Sequence, residues 1–168
     1  MKLAGLAGLA ALAFVFAAAP AANAAVGPVC ADVTLNSSIL LTGPGQPVTL
    51  TGGGSCTSGT AAPAPTQLTL NGTADVGSCF ASPYITITGT LTEQTGSTTR
   101  STSATLSLAP DAGTSTGLGT ITLGGIPNPL AISYGDPKHH ALIGLIERCG
   151  GEDEFTINAT AATLIGTE

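Results

Sequence analysis

The chain has 168 residues, with 8% charged, 4% aromatic and a formal net charge of −6. After the N-terminal run, ten acids face only Arg100, Lys138 and Arg148, too few bases to neutralise a phosphate backbone, which excludes a nucleic-acid binder. There is no Trp to serve as the indole platform of a sugar- or biotin-binding barrel, and one adjacent His pair with no Met beyond Met1 does not make a type-I copper site.

Residues 1–24 read as an export signal. Lys2 gives a minimal positive start, Leu3 to Ala19 is apolar, Pro20 breaks the run, and Ala22-Asn23-Ala24 fits a small-x-small cleavage site. A membrane anchor is the other reading, but the run sits at the lower limit for spanning about 30 Å of hydrocarbon. The sequence therefore predicts release with Ala25 as the new N-terminus, a secreted, extracellular location, and no integral membrane segment in the mature chain. Residues 25–168 form one domain. A chain with 43% hydrophobic residues and little charge is expected to fold.

From Val29 onward the pattern has period two, the mark of half-buried antiparallel strands. Ala31, Val33 and Leu35 share one face, followed by Val48 and Leu50, then Leu68, Leu70, Ala74 and Val76. Ile85, Ile87 and Leu91 alternate with Thr86, Thr88, Thr90 and Thr92; then come Ala104, Leu106 and Leu108, followed by Ile121 and Leu123. Leu130, Ile132 and Tyr134 precede a final run of Phe155, Ile157, Ala159 and Ala161. The opposite face is mostly threonine, which has strand propensity without charge. Such rows could in principle match an ordered solid, but sheets twist by about 20° per strand, so they read as an outer face. Turn chemistry separates the runs at Gly43-Pro44-Gly45, Ala61–Pro65, Gln94–Ser97, Pro110–Gly113, Pro127-Asn128-Pro129 and Gly150-Gly151. The expected fold is all-β: a single antiparallel sandwich or up-and-down barrel of about eight to nine strands.

Residues 137–149 fit two forms. Asp136 as a cap, Pro137 as the first helical residue and Gly150 as the stop suggest a helix. Gly144 amid Leu142, Ile143, Leu145 and Ile146 weighs against it, and a buried strand over Ala141–Arg148 is the preferred reading. Asp136, His139, His140, Glu147, Glu152, Asp153 and Glu154 gather here. They read as solvated turns around a strand. Adjacent histidines diverge on a strand or a helix, and Glu152-Asp153-Glu154 lacks the spaced pattern of a calcium loop. Neither a metal nor any other cofactor is expected. Asn36, Asn71 and Asn158 start Asn-x-Ser/Thr sequons.

Four cysteines remain in the mature chain: Cys30, Cys56, Cys79 and Cys149. An even number in an exported chain points to disulfides, and the absence of close C-x-x-C pairs weighs against zinc. Cys30 and Cys56 lie nearly equidistant from the Gly43-Pro44-Gly45 turn, so a hairpin brings them to one end. The expected pairs are Cys30–Cys56 and Cys79–Cys149. A strict meander that includes 141–148 as a strand puts Cys79 and Cys149 at opposite ends, so the second pair then needs a crossover or an extra strand.

This layout resembles a loose group of small secreted Gly/Thr-rich proteins of high-GC actinobacteria. They have an early Cys, a Gly-rich strand ending in a Cys-Thr-Ser corner (Cys56-Thr57-Ser58), a Gly-Thr strand running to Ser-Cys (Gly72-Thr73 to Ser78-Cys79), and a late Cys before the last strand (Cys149). The resemblance implies a β fold and secretion, and no activity. The composition is also similar to actinomycete chromoprotein carriers, but their disulfides close short loops and these spacings do not. The functional expectation is a non-enzymatic extracellular or envelope-associated module with a binding or structural role and an unidentified extracellular partner or small ligand. The alternatives are a carrier with an internal apolar cavity and a small hydrolase built on 136–154.

Overall fold

The computed structural model describes residues 26–40, 45–57, 61–76, 85–110, 116–135 and 154–167. They form eight strands: β1 (Val26–Leu40), β2 (Gln46–Thr57), β3 (Ala64–Val76), β4 (Ile85–Thr95), β5 (Thr98–Pro110), β6 (Thr116–Leu123), β7 (Ile126–Gly135) and β8 (Glu154–Thr167). Each pairs antiparallel with the next, and β8 returns to β1, so the sheet closes into an up-and-down barrel with no free edge strand. Closure decides between the two architectures the alternation allowed.

The alternation sets the facing. Leu35, Leu50, Leu68, Leu70, Ile87 and Leu106 are fully buried in one apolar cluster with the other inward side chains. An eight-stranded barrel is just wide enough for side chains to fill its interior. Outward positions carry hydroxyls in register across strands, as in Thr51, Thr69, Thr92 and Ser101. This facing, aliphatic inside and hydroxylated outside, is the reverse of barrels that cross lipid, which turn an apolar band outward. The threonine rows follow a closed, curved wall, in keeping with an outer-face role. No helix among the described residues is long and apolar enough to cross a membrane.

The two ends differ. Gly96-Ser97 joins β4 to β5, and Gly124-Gly125 joins β6 to β7. Gly124 and Gly125 have φ of 55° and 94°, values a two-residue hairpin turn needs and glycine supplies without strain. This is the turn end. The β2–β3 connection also leaves from this end, and the β1–β2, β3–β4, β5–β6 and β7–β8 connections leave from the opposite, loop end. Where β3 meets β4, Gly72 faces Gly89. A Cβ on Gly89 would run into the Asn71 carbonyl, so the strands approach there because neither bears a side chain.

Three expectations are corrected. Ala31 is exposed, whereas Cys30 and Val33 are buried. A bulge intervenes: Asp32 takes φ 51°, and the register with β2 shifts between Ala31 and Thr34, which resets parity for the residues before it. Pro127-Asn128-Pro129 is no turn but the start of β7, with Gly124-Gly125 making the reversal. The β7–β8 ladder runs over Ala131–Gly135, so the two prolines occupy a stretch that donates nothing to β8 and their missing N–H groups cost little. Finally, with eight strands in a plain meander, Val76 and Ile85, which bracket Cys79, lie at the same end as Gly135 and Glu154, which bracket Cys149. The second pair therefore needs no crossover. Cys79, Cys149 and the proposed strand at 141–148 lie outside the described residues.

Candidate functional site

Strand parity brings unlike groups together at the turn end. Thr66, Glu93 and Asn128, polar side chains buried among the described residues, all lie in this part of the barrel. Glu93 continues the inward parity of Ile85, Ile87 and Leu91 on β4 and is 6% exposed. Its register partner on β5 is Arg100, which shares the parity of Ala104 and Leu106. A carboxyl and a guanidinium thus occupy positions that hold aliphatic side chains higher in the barrel.

These two residues border a cavity of about 270 Å³ at the barrel mouth, just below the range of about 300–1,000 Å³ for drug-sized ligand pockets. Thr95 and Thr98 flank them, and Pro28, Cys56, Ala61, Ala62 and Ala64 form an apolar wall. The Cys30–Cys56 disulfide (S–S 2.06 Å) joins register partners on β1 and β2 and fixes that wall where the β2–β3 connection leaves the barrel. This bridge is the first expected pair. Thr57 Oγ1 adds a bond to the Val29 carbonyl at 3.2 Å.

Burial pushes the Glu93 carboxyl above its ordinary value of 4.5, and the Arg100 charge works against that shift. Nearby, Thr66 Oγ1 lies 3.1 Å from the Ala64 carbonyl oxygen and 2.6 Å from Thr95 Oγ1. A hydroxyl has one proton. The Thr66 proton can go to Ala64 or to Thr95, and in either arrangement the Thr95 oxygen, which lines the cavity, keeps a lone pair able to accept. The polar side of the mouth thus combines the Glu93 and Thr95 oxygens with the Arg100 guanidinium, which only donates.

Of the residues gathered from the sequence at 136–154, the structure describes only Glu154. Asp136, His139, His140, Glu147, Glu152 and Asp153 are outside the described residues, and Glu154 begins β8 at the loop end. Among the described residues no group of three or more His, Cys, Asp or Glu is placed to hold a metal. Asn36, Asn71 and Asn158 are exposed on the outer wall, with Asn36 and Asn158 in register. The mouth residues were missed, although a signal existed. In strands otherwise faced with threonine, Glu93 and Arg100 both fall on the apolar parity. The chain matches no protein-family model, no curated protein and no solved structure.

Proposed function

We propose that the chain is an exported, non-catalytic binding module that receives a small ligand at the turn-end mouth. The observation that carries this reading is Glu93, a carboxyl residue buried on the inward parity that lines a cavity together with Pro28, Cys56 and three alanines. Burying a charge is costly, and a purely structural barrel would be more stable with an aliphatic residue there. A disulfide suits an oxidising compartment and supports export. The barrel centre is filled by leucine and isoleucine side chains, so a carried ligand is better accommodated at the mouth than inside. Hydrolysis between two carboxylates needs a second one about 5–10 Å away, and Glu93 is the one carboxylate among the described residues of this cavity.

Native mass spectrometry of protein purified from its own host tests the proposal. A small-molecule adduct that is lost in Ala62→Trp, which fills the mouth from an exposed wall position, is expected. An adduct that survives Ala62→Trp places binding elsewhere and contradicts it.

A further inference from the structure

The chemistry of the mouth narrows the ligand. We infer that the turn-end cavity is a site for a small organic cation, an ammonium on a short aliphatic body, held by the Glu93 carboxylate and the Thr95 hydroxyl oxygen. The inference rests on the mouth being the binding site, as proposed above, and adds the class of ligand.

Three observations carry it. An ionised carboxylate only accepts hydrogen bonds; Glu93 lines the cavity, and a cation bound there would favour its ionised form against the effect of burial. The Thr95 hydroxyl oxygen lines the same cavity and keeps a lone pair whichever way the proton between it and Thr66 lies, which makes it a second acceptor. An ammonium carries three donors and no acceptor, which complements this pair, while Arg100 in the same lining is set against Glu93 by the β4–β5 register. The cavity is small and its apolar lining is Pro28, three alanines and Cys56, which suits an aliphatic chain of a few carbons.

Long-range charge agrees. The chain bears a net charge of −6, which attracts cations toward the surface and repels anions. Burial disfavours the ionised form of Glu93, and Arg100, facing it from β5, works the other way. The bound ammonium would share the carboxylate with this guanidinium. A ligand cation meeting Glu93 away from bulk water makes a charge-assisted bond, stronger than the same contact in solvent.

The test titrates the full mature chain with n-butylammonium, n-butanol and butyrate, followed by alanine-methyl NMR. The expected result is saturable binding of n-butylammonium at least about tenfold tighter than n-butanol, with butyrate the weakest. Glu93→Gln should abolish the preference for the ammonium while n-butanol still binds. Ala62→Trp should block both. The ranking of the three compounds on the wild type decides the matter even where Glu93→Gln does not fold. Ammonium binding no tighter than the alcohol's, or a preference that persists in Glu93→Gln, overturns the ligand class and leaves the mouth as a site. Binding of all three that is indifferent to Ala62→Trp, or none by any, overturns the site itself.

Discussion

Asn128 and Ile165 are joined by two hydrogen bonds: the Ile165 N–H donates to Asn128 Oδ1 at 2.7 Å, and Asn128 Nδ2 donates to the Ile165 carbonyl at 3.0 Å. The side-chain amide stands in for backbone pairing where β7 does not ladder with β8. The same Nδ2 lies 3.0 Å and 3.3 Å from the carbonyls of Ile126 and Ile121. One buried residue thus ties β6, β7 and β8 together at the turn end.

Asn128→Leu keeps the volume roughly but orphans these backbone groups. It should destabilise the barrel by about 1–3 kcal/mol, read from the urea midpoint at unchanged m-value. A change within error would mean that water replaces the amide and that barrel closure does not depend on it.

Facing is tested by charge. Ile87, Leu106 and Ile157 are essentially inaccessible, and Ile87→Asp, Leu106→Asp or Ile157→Asp should each prevent folding, because an unpaired charge cannot be accommodated inside. Thr88 is exposed, and Thr88→Asp should shift stability by no more than about 0.5 kcal/mol. Circular dichroism of the four variants is sufficient. Equal damage from Thr88→Asp would show that the outer wall is covered.

Cysteine chemistry gives a third expectation. With Cys30 joined to Cys56, Cys79 and Cys149 have only each other within the chain, and the segments bearing them leave the barrel at one end. Non-reduced peptide mapping should return both links, and a Cys56–Cys79 peptide would contradict them. Cys30→Ala/Cys56→Ala frees a span of 26 residues and should cost about 3–4 kcal/mol in the chain-entropy description.

Glu93 makes stability depend on pH. Its folded-state pKa is raised above the unfolded value, so between the two the folded state holds more protons. The stabilising contribution of the protonated form is complete below the unfolded value of about 4.5 and is lost as pH rises through the folded one. Glu93→Gln stays neutral throughout. It should match the wild type in acid and melt higher than it at neutral pH. A lower melting point for Glu93→Gln at neutral pH would mean that the ionised carboxylate stabilises the fold.

Much of the barrel was legible because threonine and aliphatic residues alternate so cleanly that inward and outward parity can be read for Ile85–Leu91 or Ala104–Leu108 without further help. Legibility failed where local chemistry overrode period two. Asp32 adopts a left-handed conformation and flips Ala31 outward, which no residue type in Ala31-Asp32-Val33 announces. Two prolines around Asn128 have the composition of a turn, and only the absence of a β8 partner makes them admissible in a strand. The mouth was hidden for another reason. Glu93 and Arg100 are separated by a hairpin and become a pair only once the Gly96-Ser97 turn sets their register. The densest cluster of charges, at 136–154, drew attention away from two charges on inward positions.

The claim on which the account depends is that ligand is received at the turn-end mouth and not within the barrel. A methyl spectrum recorded with and without saturating n-butylammonium tests it directly. The account expects shifts at Ala61, Ala62 and Ala64, with Leu70, Ile87 and Leu106 unmoved. Shifts concentrated on Leu70, Ile87 and Leu106, with the three alanines silent, would contradict it.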